Sequence, residues 1–209
     1  EGAATIATET AAVKRQRNLG SPSWRRRQMG VNFPFEILDG LARVFIITGN
    51  MEKALQQLTE SLKFFRMTGD AVREIRCLND LGHVAQNLGD IDEAEGYYQD
   101  CAALSRREGD VTYEAKCLGN LANIEYNRGN SDKAERMYRQ ALETFRDQDD
   151  REGEAASLGN IGNLMRQRGD YEGAEELYQE ALALGRENED RVSEAQAMYA
   201  LGDLLISRQ

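Results

Sequence analysis

A single histidine, His83, occurs among 209 residues. That excludes a multi-histidine metal site and removes the usual general base from any catalytic constellation. Proline occurs twice, at Pro22 and Pro34, too rarely for a proline-rich linker protein. Aromatic residues make up 7%, and β-branched residues are few beside Ala, Glu, Leu, Gln and Arg, which excludes an all-β fold. The three cysteines (Cys77, Cys101, Cys117) come without an Asn-x-Ser/Thr sequon. They give no disulfide framework and no secretory mark, and so point to a reducing, cytoplasmic compartment. No apolar run approaches the length of a membrane-spanning helix, and no signal-peptide pattern opens the chain.

Positive charge is also scarce over most of the chain. The net charge is −10, but residues 1–30 carry +4, through Lys14, Arg15, Arg17, Arg25, Arg26 and Arg27 against Glu1 and Glu9, which leaves −14 beyond them. An acidic body repels phosphate backbones, so neither nucleic acid nor an anionic membrane is an expected partner. The basic run reads as a solvated segment.

What the chain has in abundance is repetition. Gly49-Asn50, Gly89-Asp90, Gly129-Asn130 and Gly169-Asp170 recur at a spacing of 40 residues. Leu38, Leu78, Leu118, Leu158 and Met198 form one column. Leu41, Leu81, Leu121, Ile161 and Leu201 form the next, and Val44, Val84, Ile124, Leu164 and Leu204 a third. Columns three residues apart are the apolar stripe of a helix. Beyond each glycine, Ala54, Ala94, Ala134 and Ala174 align, then Leu58, Tyr98, Tyr138 and Tyr178, then Ser61, Cys101, Ala141 and Ala181. Each unit therefore reads helix, tight turn, helix. The glycine supplies a left-handed helix end and the following Asn or Asp an N-cap. Asp70, Asp110, Asp150 and Asp190 cap the next unit's first helix, with Glu74, Glu114, Glu154 and Glu194 in its first turn, where the helix dipole favours negative charge. The arginine column Arg66, Arg106, Arg146 and Arg186 suits inter-helix ion pairs. Tyr98, Tyr138 and Tyr178 read as core, and the cysteines as small apolar fillers.

The string Leu118-Gly-Asn-Leu-Ala-Asn-Ile, followed by Arg-Gly-Asn, Ala134, Tyr138 and Ala141-Leu142, resembles a tetratricopeptide (TPR) repeat. So does Leu158-Gly-Asn-Ile-Gly-Asn-Leu with Arg-Gly-Asp-Tyr-Glu-Gly-Ala174, Tyr178 and Ala181-Leu182. The resemblance covers about residues 31–209. Two departures, the missing closing proline and a period of 40 rather than 34, are similar to the long-helix repeats of Pins/LGN-type adaptors, kinesin light chain, bacterial peptide-sensing regulators and the sensor arms of signalling ATPases. The resemblance implies an all-α, right-handed superhelical solenoid of antiparallel helix pairs, with a concave groove lined by the first helix of each pair. The register gives a partial preceding helix and a basic insertion at 1–30, repeats at 31–70, 71–110, 111–150 and 151–190, and the first helix of a truncated fifth at 191–209. Both ends look cut, so the chain is expected to be a piece of a longer array. Leu201, Leu204 and Leu205 on the unpaired last helix are expected to be exposed and to favour end-to-end self-association.

The resemblance also implies a non-enzymatic scaffold that needs no cofactor or metal and holds an extended, partly acidic segment of another protein. The alternative is the peptide- or ligand-sensing arm of a larger signalling or transcriptional regulator. Carried onto this sequence, the peptide-binding positions are Arg76, Asn79, His83, Asn87, Lys116, Asn120, Asn123, Tyr126, Asn127, Asn160, Asn163, Arg166 and Gln167. An amide side chain donates and accepts at once, which suits a peptide backbone. Arg76, Lys116 and Arg166 are expected to meet carboxylates, and Asn123 and Asn163 to be exposed, central backbone readers. The Lys/Asn/Asn/Lys/Arg clamp for chaperone tails is incomplete in every window of three repeats. There is no Gly-x-x-x-x-Gly-Lys-Ser/Thr phosphate loop and no nucleophile–base pair.

Overall fold

The structure, a computed structural model, describes residues 35–207. The partial helix and basic insertion expected at 1–30 lie outside them. The described residues form nine helices and no strand: α1 (Phe35–Ile47), α2 (Met51–Thr68), α3 (Ala71–Leu88), α4 (Ile91–Glu108), α5 (Val111–Asn127), α6 (Ser131–Asp147), α7 (Arg151–Gln167), α8 (Tyr171–Glu187) and α9 (Arg191–Ser207). The chain divides into two compact units, Glu1–Glu74 and Ile75–Gln209.

In the first unit, α1 packs on α2. Gly49, at φ 74°, ends α1, and the Asn50 side chain accepts from the Lys53 amide to start α2. Ala54, Leu58 and Phe65 are buried along one face of α2. The Arg66 guanidinium donates to Glu74 at 3.0 Å.

The second unit repeats that plan. Consecutive helices fold back on one another, and first helices also touch, α7 against α9. Gly89, Gly129 and Gly169 adopt the left-handed conformation at φ 90°, 83° and 83°. The Asp110, Asp150 and Asp170 carboxylates accept from the amides three residues on. Tyr98, Tyr138 and Tyr178 are buried at 0%, 2% and 0% exposure. Gly82 and Gly162 make room for two of them: a Cβ on either would stand 2.5 Å from the ring of Tyr98 or Tyr178. In the repeat between, the fully buried Ala122 holds that column and clusters with Tyr138.

Charged side chains stitch successive helices together. Arg106, Arg146 and Arg186 donate through Nε to Glu114, Glu154 and Glu194 at 2.9, 2.7 and 2.9 Å. Arg128 and Arg168 reach back to Asp92 with Glu95 and to Asp132 with Glu135. Exposed pairs of this kind contribute little individually. Glu154 and Glu125 differ, being almost wholly buried on their side chains. Burial pushes the Glu154 carboxyl up, but hydrogen bonds from Arg146 and Arg151 outweigh it and leave it below the usual range. Hydrogen bonds from Lys133 and Asn130 lower Glu125, and those from Arg168 and Arg139 lower Glu135.

Two expectations are corrected. Leu204 is buried at 1% exposure and Leu201 is half-buried, because α9 packs onto α8 through the same columns as the earlier first helices; of the three leucines only Leu205 is exposed. The exposed apolar face of α9 is instead Val192, Met198, Tyr199, Leu205 and Ile206. Second, Cys101 on α4 and Cys117 on α5 are joined in a disulfide with their Cα atoms 6.4 Å apart. Their packing positions on consecutive helices face each other across a repeat boundary, which the spacing of 16 residues hides. The pairing removes the ground for inferring a reducing compartment. Cys77 is buried, as a filler should be. Among the described residues no helix is long and apolar enough to cross a membrane.

Three outcomes follow from the packing. Gly162→Leu is expected to destabilise by about 1–3 kcal/mol, measured by denaturant unfolding, because the Tyr178 ring must be displaced. Asp149, at φ 52°, occupies the junction position where Gly69 and Gly109 stand in earlier repeats, so Asp149→Gly is expected to stabilise by about 0.5–1 kcal/mol. The lowered carboxyl values of Glu125, Glu135 and Glu154 mean that their contribution is complete above the unfolded carboxyl value, 4.5, and is lost as pH falls through the folded values. Thermal unfolding between pH 7 and pH 3 is expected to show a steady midpoint that declines below about pH 4.5.

Candidate functional site

In the second unit α3, α5 and α7 carry the buried columns on one face and the amides on another, whereas the outer face of α9 is largely apolar. On α5 and α7 that face forms the floor of open clefts. One, of about 830 Å³, lies between α7 and α9 and is lined by Gly159, Asn160, Asn163, Arg166, Gln196, Tyr199 and Asp203, with Tyr126 at its edge. A second, of about 230 Å³, holds Gln86, Asn123, Tyr126, Asn127, Asn160 and Asn163. The structure thus brings Asn123, Tyr126, Asn127, Asn160, Asn163 and Arg166 to one surface.

The two central amides are not the freely exposed groups that the sequence suggests. Asn123 and Asn163 are half-buried. The Tyr138 hydroxyl donates to Asn123 Oδ1 at 2.6 Å, and the Tyr178 hydroxyl to Asn163 Oδ1 at 2.7 Å. In the preceding repeat Tyr98 donates to Gln86 Oε1 at 3.2 Å. Burial above all, with Tyr126 nearby, pushes the Tyr138 hydroxyl well above the phenol range; burial does the same for Tyr178 against the opposing effect of Arg166. Both hydroxyls therefore stay protonated at any physiological pH and act as fixed donors. Each locks its Asn with the oxygen turned to the core and leaves the Nδ2 hydrogens without a partner among the described residues. Asn123 and Asn163 offer the clefts donors only.

The other expected residues divide. Asn120 Nδ2 donates to Asn79 Oδ1 at 3.1 Å across the repeat boundary, and the Asn79 amide reaches Asp80 at 3.5 Å. Asn160 has no hydrogen bond among the described residues and keeps both faculties. Asn87 donates to the carbonyl of His83 at 2.8 Å, and both are exposed, away from the lining of either cleft. Gln167 is exposed and accepts from Ser131 at 3.4 Å.

The expected cationic row is largely neutralised. Lys116 lies 3.4 Å from Asp150, and Arg166 is 3.0 Å from Asp203. Arg76 is exposed and forms no ion pair among the described residues. An incoming carboxylate would have to compete with Asp150 or Asp203 except at the Arg76 end. Those two counter-ions escaped the sequence reading because each belongs to the next repeat, 34 and 37 positions away. The tyrosine clamps could have been read from a signal that is present, a Tyr 15 residues after each Asn in two successive repeats.

Comparisons with known proteins agree with this architecture. The tetratricopeptide repeat family model matches four overlapping stretches, residues 35–107, 74–147, 113–187 and 153–209. No curated protein matches the sequence. Among solved structures, BtubC (BKLC) from P. vanneervenii is 24% identical with a TM-score of 0.68, over 94% of this chain and 84% of that one. A signal transduction ATPase with numerous domains (STAND) and a tetratricopeptide repeat sensor, from Pyrococcus horikoshii, is 22% identical with a TM-score of 0.65, over 80% of this chain and 25% of that one. Aspartyl phosphate phosphatase F from Bacillus subtilis is 11% identical with a TM-score of 0.71, over 81% of this chain and 45% of that one. At these identities the likeness is one of fold, whereas the family pattern runs through every described helix, and on that ground the chain belongs to the tetratricopeptide repeat family.

Proposed function

We propose that this chain is a protein-interaction scaffold which holds an extended segment of a partner protein along α3, α5 and α7. The observation that carries the proposal is the pair Asn123 and Asn163. They stand one repeat apart on equivalent positions, with their oxygens held by tyrosine hydroxyls and their Nδ2 groups left over. Donors fixed in that way suit the carbonyl oxygens of a peptide main chain. Asn160, with both faculties free, suits a main-chain N–H or C=O between them. With Lys116 and Arg166 already paired, the segment is neutral along most of its length, and an acidic residue is favoured at the Arg76 end. The alternative, a sensor arm that passes the binding event to a further domain, uses the same groove. The tetratricopeptide repeat sensor of the Pyrococcus horikoshii protein supports it by likeness of fold.

The tyrosine clamps decide how the groove is tested. Asn→Ala at either position would orphan a buried hydroxyl and destabilise by about 1–3 kcal/mol, so a loss of binding there would be ambiguous. Asp keeps an acceptor for the hydroxyl and replaces the donor with a carboxylate oxygen, which also adds a negative charge to the cleft floor. Peptides selected on the chain from a phage-displayed library of random linear sequences are expected to lose affinity for the N123D/N163D variant by about tenfold or more, as fluorescence polarisation reads it, with little change in melting. Arg107→Glu, an exposed change on α4, is expected to leave the affinity unchanged. Selected peptides indifferent to N123D/N163D would overturn the proposal.

A further inference from the structure

The bond between Cys101 and Cys117 is not required by the packing around it. One repeat on, the same two positions carry Ala141 and Ser157, and in the next repeat Ala181 and Ala197; all four are buried. Two small side chains therefore fill that seam, between a second helix and the following first helix, with no covalent link. A pair of thiols fits there on the same terms. The reduced state also has a partner in place. Cys101 Sγ lies 3.6 Å from the carbonyl oxygen of Ile75 on α3, an acceptor that a thiol S–H can use and a disulfide cannot.

Both sulfurs are shut off from solvent, with the two residues at 0% exposure. A cleft of about 400 Å³ nevertheless opens beside them, separate from the amide clefts. Ala102 and Leu118, the residues that follow the two cysteines, line it together with Arg106, Glu114, Gln140 and Thr144. Among the described residues Arg106 pairs with Glu114 alone, and its side chain is 72% exposed. At the next boundary Arg146 holds both Glu154 and Glu180, whereas Gln140 stands at the earlier position equivalent to Glu180. The ionic hold between α4 and α5 is the thinner of the two, and the disulfide lies there.

We infer that Cys101 and Cys117 form a reversible latch: a dithiol–disulfide couple, reached through this cleft by low-molecular-weight thiols and disulfides, that locks or frees the boundary between the second and third repeats. A thiolate entering the cleft attacks one sulfur of the bond and expels the other as a thiolate. A second small thiol then resolves the mixed disulfide. The two cysteines gain two electrons and two protons, and the two small thiols leave joined as a disulfide; oxidation runs the same exchange backwards. Arg106 on the cleft wall attracts the anionic thiolate, which is the reactive form. Because the sulfurs are buried, each exchange waits on a local parting of α4 from α5, so the latch responds slowly. In an array whose repeats lean only on their neighbours, a bond across one boundary decides whether the helices on its two sides open together or apart. Reduced, that boundary keeps the Arg106–Glu114 pair and the Asn120–Asn79 hydrogen bond.

The test uses the full chain, brought to equilibrium from the reduced and from the oxidised side in glutathione buffers of graded ratio. Thiols are then alkylated and the bonds mapped by mass spectrometry. The same fraction of Cys101–Cys117 bond is expected from both sides, with an unchanged circular dichroism spectrum, and Cys77→Ala is expected to leave that fraction unaltered. In hydrogen exchange, the amides of α4 and α5 are expected to exchange faster in the reduced chain by about tenfold or more, with those of α7 and α8 unchanged. C101A/C117A, which copies the Ala181 and Ala197 seam, is expected to match the reduced chain in every buffer; the comparison of the two wild-type states does not depend on it. A bond that forms or breaks only in denaturant, or a chain that unfolds on reduction, would make the disulfide a fixed staple and overturn the inference. So would a bond mapped to Cys77, or equal exchange of α4 and α5 in the two states. None of these readouts depends on what the amide clefts bind.

Discussion

The contact on which the molecule turns is that of a tyrosine ring over a missing side chain. Where Tyr178 lies against Gly162, the second helix of a pair comes close enough to the first for its phenol to cross the interface and emerge beside the groove. The same ring thus does two things. Its body fills the core, which drives the pairing through apolar burial. Its hydroxyl, held neutral by that same burial, sets the orientation of an amide on the far side of the helix. A bulkier residue at 162 would disturb both at once, so core packing and the orientation of the Asn163 amide are not separable in this fold. Tyr98 shows the variation: with Gln86 as its acceptor, the clamp in that repeat falls on a longer side chain nearer the helix end.

Much of this was legible in one dimension. The 40-residue period, the glycine and Asp/Asn turn signals and the apolar columns point to an all-helical repeat fold, and the described residues form helices α1 to α9 without a strand. Buried tyrosines, capping aspartates and the Arg–Glu pairs at repeat junctions were equally open to view, since each is local or recurs in phase. What escaped was whatever depends on a partner that another helix brings in. Asn123 looks like a solvent-facing amide until the hydroxyl of Tyr138 is placed on it. Lys116 and Arg166 look like free cations until Asp150 and Asp203 arrive from the following repeat. The meeting of Cys101 with Cys117 needs the crossing of two helices, which spacing alone does not supply. Column patterns report which face a residue occupies; they are silent on what a neighbouring helix brings to it.

Charge is arranged in keeping with that division. The acidic excess is spent largely on stitching, with Asp92, Glu95, Asp132 and Glu135 holding arginines from the next turn and Glu114 and Glu154 holding those from the helix before. The cleft floor on α5 and α7 is by contrast made mainly of amides, with the Arg166–Asp203 pair on one side of the larger cleft. Neutral donors keep their strength in salt, whereas screened surface charges lose it. Contacts made on such a floor should persist across ionic strengths that weaken the outer ion pairs.

The junctions between repeats carry a further consequence. Gly69 and Gly109 take the left-handed conformation without strain, while Asp149 and Glu189 hold it with a side chain attached. In an array whose members lean only on their neighbours, such small differences decide where fraying starts. The two later junctions store strain that the earlier ones lack, so hydrogen exchange should invade from the carboxyl-terminal side, and a molecule pulled from both ends should give way at residues 149 and 189 before it yields at 69 and 109. The sequence of four turns is, in this sense, a graded fuse, with its weakest link set beside the α7–α9 cleft.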